Sequence, residues 1–201
     1  MAKESTRDRI FKEAVCLFAA KGFHGTSMRD LAKQTGIKES SIYNHFKGKE
    51  SILDAILEYQ LEGFSRVTDG LNSFKEPLDK FTDPVEFWMG GVTYFLKKLP
   101  SLNDQIFRIL HNEMYLNEKC RNFYLHKLLP MQKELALFVL SEMEEKGMIE
   151  LKDKEKTAER YVYFLEGMGI EHNLMSLEGK DPEEIGSHTI EHIKLFIEGL
   201  K

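Results

Sequence analysis

Apolar residues recur every three to four positions along almost the whole chain, and no stretch alternates as a strand would, so the pattern predicts an all-α protein of about nine helices. A first helix carries Ile10, Ala14, Leu17 and Phe18 on one side and ends at Gly22. Ser27, with Asp30 three residues later as a capping-box partner, opens a second, in which Leu31 and Ala32 face inward until Gly36 stops it. A short third helix is expected from about Ser40 to Phe46, with Ile42 and Phe46 one turn apart. After Gly48 a fourth runs from about Lys49 into the 60s through Ile52, Leu53, Ile56 and Leu57.

Two identical start signals mark the second half. Asp83-Pro84 and Asp181-Pro182 each combine an N-capping carboxylate with proline at the first helical position and a glutamate in the first turn. Between them the periodicity predicts helices near 101–116, 119–146 and 153–178, the second of which Pro130 should kink or divide. The segment 66–82, with Gly70 and Pro77, reads as a loop or short helix.

Composition agrees with long helices around a substantial core: 42% of the 201 residues are hydrophobic, Phe and Met are frequent at 14 and 9, and Pro is scarce at 5. The two cysteines, Cys16 and Cys120, are far apart and suggest neither a metal pair nor a disulfide framework. The charged N-terminus lacks an apolar signal core, and the longest apolar run, Leu135–Leu140, is too short to span a bilayer. A cytoplasmic protein with no membrane partner is therefore expected.

The net charge of −5 argues against nucleic acid until its distribution is considered. Residues 1–50 carry ten Lys and Arg against six Asp and Glu, net +4, whereas the remainder carries eighteen against twenty-seven, net −9. A basic head on an acidic body suits a DNA-binding module joined to something else.

Residues 27–46 have the layout of a helix-turn-helix: a helix to Thr35, a turn at Gly36-Ile37, and a second helix from Ser40. With Ile37 and Ile42 filling the angle between helices, Lys38, Ser40, Ser41, Asn44 and His45 face outward, where such side chains can meet base edges in a major groove.

The stretch Gly22-Phe23-His24-Gly25-Thr26-Ser27-Met28-Arg29-Asp30-Leu31-Ala32, then Gly36-Ile37, then Ile42-Tyr43-Asn44-His45-Phe46-Lys47-Gly48-Lys49-Glu50 resembles the N-terminal signature of the TetR family of transcriptional regulators. The resemblance implies a homodimer with a DNA-binding domain over 1–48 and a larger effector-binding and dimerisation domain over 49–201. By position it implies that Thr26 and Ser27 hold a backbone phosphate, that Tyr43 and Lys49 contact the phosphate backbone, and that His45 meets phosphate or sugar. Lys38, Glu39, Ser40, Ser41 and Asn44 are left to read bases. The sequence departs from the family at Lys38, where a capping serine is usual, and at Glu39, where a basic or small residue is usual. Both changes bear on which operator is read, not on the fold.

The expected function is that of a sequence-specific regulator, a repressor released by a small and largely apolar effector, with double-stranded operator DNA as its other partner and no cofactor. Trp88, Tyr94, Phe107, His111, Met114, Tyr115, Phe123, Phe164 and Met168 are the candidates for the effector pocket. Among them His111, Glu113, Glu166 and His172 are polar groups that could orient a ligand. Gly90-Gly91 and Gly167-x-Gly169 lie within helices, for a close approach, a kink or ligand space. The last two helices match the family's dimer-forming pair, with Leu174, Ile185, Ile193, Phe196, Ile197 and Leu200 as the seam. Glu184, His188 and His192 share one helix face, but no Cys or second acid completes a metal site, so none is expected. Two other readings remain: a DNA-binding or architectural protein without an effector, and a helical metal-dependent enzyme. An enzyme would leave the basic head unexplained, and no catalytic residues are expected.

Overall fold

The computed structural model describes residues 4–68, 80–99 and 102–200, and no strand occurs among them. Ten α-helices are present there: α1 (Thr6–Lys21), α2 (Met28–Thr35), α3 (Glu39–Tyr43), α4 (Lys49–Thr68), α5 (Pro84–Lys98), α6 (Asn103–Glu113), α7 (Glu118–Phe123), α8 (Leu129–Glu145), α9 (Lys154–Leu177) and α10 (Pro182–Glu198). A π-helical turn, Tyr124–Leu128, joins α7 to α8, so 118–145 is one continuous helical run. Counted that way, the helices are the nine that the periodicity predicts. Pro130 explains the interruption: it has no N–H to give to the carbonyl of His126, and its ring crowds that turn, so the coil widens just before it. Of the expected loop 66–82, residues 69–79 lie outside the described residues.

The capping signals form as the sequence predicts. Asp83 Oδ1 accepts from the N–H groups of Val85 and Glu86, and Asp181 Oδ1 accepts from Glu183. Asp153, which the sequence reading did not single out, caps α9 through Lys156. α6 is shorter than expected, because it begins after Leu102, which offers no cap, and ends at Glu113.

The chain divides into two compact units, Met1–Ser65 with Leu99–Leu128 and Arg66–Lys98 with Leu129–Lys201. In the first, α1 packs on α2 and α6, and α2 on α3, around Ile10, Phe18, Leu31, Ile42, Ile52, Ile56, Ile106 and Ile109, all essentially without solvent exposure. Gln60 and Asn103 form a buried hydrogen bond of 2.7 Å between α4 and α6.

The second unit centres on aromatic packing between α5, α9 and α10. The Trp88 indole N–H donates to the Tyr161 hydroxyl at 2.9 Å, with ring centroids 4.1 Å apart and edge to face. Phe196 stacks on Phe164 and leans on Tyr161. Burial pushes the Tyr161 hydroxyl well above the usual tyrosine range, so it stays a neutral acceptor for the indole. Gly90 serves close approach, because a Cβ there would overlap the edge of the Phe81 ring, whereas around Gly167 and Gly169 there is open space.

The expected dimer seam is only partly exposed. Ile193 and Ile197 are buried in their own unit and Phe196 is committed to Phe164, whereas Leu174 is 58% exposed. The side chain of Ile185 lies outside the described residues. The apolar residues that α9 leaves open are Tyr163, Ile170, Leu174 and Leu177.

Candidate nucleic-acid interface

The helix-turn-helix is built from local signals. Ser27 and Asp30 make a reciprocal capping box: the Ser27 hydroxyl accepts from the Asp30 N–H at 3.1 Å, and the Asp30 carboxylate accepts from the Ser27 N–H at 2.8 Å. The Ser27 hydroxyl and backbone N–H hold the exposed Asp30 carboxyl below its ordinary range. α2 ends where Gly36 takes the left-handed conformation, φ 67°, and the Ile37 N–H returns to the Ala32 carbonyl. α3 follows after Lys38, which stands at the N-cap without a side-chain hydrogen bond, as its lack of an acceptor predicts. α3 is shorter than expected, but two further turn bonds, donated by the His45 and Phe46 N–H groups to the Ile42 carbonyl, carry the coil to Phe46.

On this scaffold Lys38, Ser40, Tyr43, Asn44 and His45 are exposed, and Glu39 and Ser41 are half-buried. Ile42 and Phe46 turn inward, and the Arg7 guanidinium lies over the Phe46 ring at 4.9 Å. Beside α3 is an open cleft of about 570 Å³, lined by His24, Gly25, Thr26, Ser27, Met28, Arg29, Glu39, Tyr43 and Lys49. Four of the expected phosphate contacts, Thr26, Ser27, Tyr43 and Lys49, thus share one concavity. Within it the capping box uses the N–H groups of Ser27 and Asp30. The Met28 and Arg29 N–H groups are the two donors of the first turn that no helical carbonyl can reach, and they carry the positive end of the α2 dipole.

Two of the expected contacts are tied into the protein itself. Thr26 is buried, and its hydroxyl donates to the carbonyl of Gly22 at 3.0 Å. Lys49 donates to the Phe23 carbonyl at 2.7 Å and sits over the Phe23 ring. The Phe23 N–H in turn donates to Glu113 Oε1 at 2.8 Å, from the last turn of α6. Phe23 is therefore clamped at both backbone polar groups, by α4 on one side and α6 on the other. Sequence reasoning placed Glu113 with the ligand-orienting groups. A single buried carboxylate ninety residues from its partner carries no local signal. His24 and Arg29, motif residues to which the resemblance assigns no role, both line the cleft.

The nine candidate pocket residues divide between the two units. Phe107, His111, Met114, Tyr115 and Phe123 belong to the first unit, where Phe64, Phe107, His111 and Tyr124 form a chain of ring contacts 6.1–6.4 Å apart. Tyr115 is 79% exposed. Trp88, Tyr94, Phe164 and Met168 belong to the second unit, where Trp88 is core and Tyr94 lies beneath Lys98. Glu166 accepts from Gln132, and His172 meets Thr189. On α10, Glu184 pairs with Lys180 and His188 with Glu171, and among the described residues no three His, Cys, Asp or Glu side chains gather as a metal site. Both cysteines are free thiols. No helix among the described residues is long and apolar enough to cross a membrane.

Residues 10–56 match the family model described as bacterial regulatory proteins, tetR family. The chain is 37% identical over 79 residues to the HTH-type transcriptional repressor KstR2 of Mycolicibacterium smegmatis, a match over 39% of this chain and 38% of that protein. It is 44% identical over 48 residues to IcaR of Staphylococcus aureus, the negative transcriptional regulator of the biofilm operon icaADBC, over 24% of this chain and 26% of that one. The chain thus spans less than two fifths of these curated relatives, and the family-model match over residues 10–56 contains the cleft and α3. Over 96% of its length it shares the fold of the TetR family transcriptional regulator PfmR from Thermus thermophilus, at 22% identity and a TM-score of 0.61, with all of that chain covered. The proteins matched are transcriptional regulators rather than enzymes.

Proposed function

Since this chain belongs, through residues 10–56, to the TetR family of bacterial regulatory proteins, we propose that it is a sequence-specific, cytoplasmic DNA-binding repressor that acts as a homodimer and is released by a small, largely apolar effector. The observation that carries this reading is the exposed polar face of α3 beside a cleft lined by Lys49, Tyr43, Arg29 and the open N-terminus of α2. An α-helix fits a major groove, and cations, hydroxyls and amides at its flank hold the phosphates that fix its register. Asn44, Ser40, Ser41 and Lys38 then read base edges. Glu39 accepts from a cytosine amino group, because a carboxylate is tolerated near DNA only where a donor meets it.

Thr26 contributes by closing the α1–α2 turn from inside, and Lys49 by holding Phe23 while its charge remains at the cleft. The DNA-reading part is 1–48 and the effector and dimerisation part 49–201. The open stripe Tyr163, Ile170, Leu174 and Leu177, spaced by seven, four and three residues along α9, is the apolar face that a second copy covers. Two copies are what symmetric half-sites about one DNA turn apart require. The effector is expected against the aromatic residues of the body, such as Phe107, His111 and Tyr124.

Binding to duplex DNA should fall steeply with salt, by roughly 10³ or more between about 50 and 200 mM if six or more phosphates are neutralised per dimer. Lys49→Ala should weaken binding to every duplex alike, whereas Asn44→Ala should also cost about 1–3 kcal/mol of discrimination at one base position. Gel-shift titration against the DNA upstream of the chain's own gene measures both, and absent or salt-insensitive binding contradicts the reading. Leu174→Glu, at the middle of the stripe, should shift the protein to monomers in analytical ultracentrifugation. An unchanged dimer would remove α9 from the interface.

A further inference from the structure

Behind the cleft, the Glu113 carboxylate is only half satisfied among the described residues. Its side chain is 5% exposed, Oε1 accepts from the Phe23 N–H, and Oε2 has no hydrogen-bond partner among the described residues. Gly22 leaves room for it, since a Cβ there would stand 3.4 Å from Oε1. A buried carboxylate oxygen without a donor is costly, and a cation beside it relieves that cost. The group that faces Oε2 is the His24 ring, with Nε2 at 4.0 Å, an ion-pair separation rather than a hydrogen bond. The ring stands edge-on to Phe23, its side chain is 69% exposed, and it lines the same cleft as Tyr43 and Lys49.

We propose that His24 is a further phosphate contact of the DNA face, engaged by proton uptake, with the buried Glu113 carboxylate as its counter-ion. This rests on the DNA-binding reading above. A neutral imidazole has one N–H and one lone pair, so it cannot donate to Glu113 and to a phosphate oxygen together, and its lone pair repels whichever anion it meets. The imidazolium has two N–H groups, one for Glu113 Oε2 and the other for a phosphodiester oxygen entering the cleft. DNA binding therefore draws a proton from solvent onto each His24 that is neutral in the free protein, and affinity rises as pH falls.

The other charged groups do not supply this step. Arg29 and Lys49 line the cleft as its other basic side chains, Glu39 and Tyr43 flank it on α3, and Lys21 ends α1. Behind Glu113, Lys119 is held by Asp54 and Glu50, and Cys120 remains a thiol because burial, with the Glu113 charge adding, pushes it up to about 12. His45, exposed beyond α3, is the second imidazole on this face, and the test separates the two.

Affinity for a random-sequence duplex at low salt, measured from about pH 6 to 8, should rise toward acid in the wild type. His24→Gln should lose about tenfold at the acid end and little at the alkaline end. His45→Gln should keep a pH-dependent rise. Glu113→Gln, whose amide oxygen still accepts from Phe23, should flatten the rise while the protein stays folded by circular dichroism. Calorimetry in two buffers of different ionisation enthalpy should show net proton uptake by the wild type and its loss in His24→Gln. A His24→Gln profile parallel to the wild type, or equal proton uptake, overturns the proposal. A wild type that binds no duplex at any pH overturns instead the DNA-binding reading.

Discussion

Gly25→Ala should cost about 3 kcal/mol of stability and more than tenfold in DNA affinity, although it adds a single methyl group at an exposed turn. The Cβ would fall within the van der Waals envelope of the Lys21 carbonyl oxygen, the last of α1. That neighbour is backbone and cannot swing aside as a flexible side chain would, so the turn between α1 and α2 has to open. Opening moves Phe23, whose N–H is fixed by Glu113 and whose carbonyl is fixed by Lys49, and it draws Thr26 off the Gly22 carbonyl. The cleft beside α3 loses its shape with them. Gly48→Ala is the contrast, because nothing lies within 4 Å of its Cβ position and its φ is not positive. There the melting temperature should hold or rise slightly. Thermal melts of both variants beside gel shifts decide the matter, and a Gly25→Ala protein that melts and binds like the wild type would refute the clamped turn.

The second large effect belongs to the other unit. Trp88→Ala removes a ring 2% exposed that touches Tyr161 and supplies the donor for its hydroxyl, a loss of about 3–5 kcal/mol. Calorimetry should place the melting temperature on the order of 10 °C lower. Tyr161→Phe keeps the packing but leaves the indole N–H buried without an acceptor, and should cost about 1–3 kcal/mol. Trp88 is the only tryptophan, so its fluorescence reports unfolding of this unit directly in the Tyr161→Phe protein. A Trp88→Ala loss no larger than that of Tyr161→Phe would mean that the ring is not core.

Local chemistry explains which parts of this were legible in the sequence. Ser27 with Asp30, Gly36, and the two Asp-Pro starts each encode a bond made within a few residues, so the helix-turn-helix and the starts of α5 and α10 could be placed from sequence alone. The absence of a cap at Lys38 was readable for the same reason. Glu113 was not, because its partner lies ninety positions away and its spacing on α6 equals that of any polar residue there. Ile193 and Ile197 illustrate the remaining ambiguity, since an apolar stripe on a terminal helix looks the same whether it faces its own core or a second copy. Of the residues of α9 that do stand open, Leu174 was in the expected seam, whereas Tyr163, Ile170 and Leu177 became visible only when the other helices were packed.

Selection of bound sequences from a pool of random duplexes should enrich a two-fold symmetric site with half-sites about one helical turn apart. Asn44→Ala should lose preference at one base position of each half-site. Recovery of unselected sequence from the wild type, or the same site with undiminished preference from Asn44→Ala, would contradict base reading by α3.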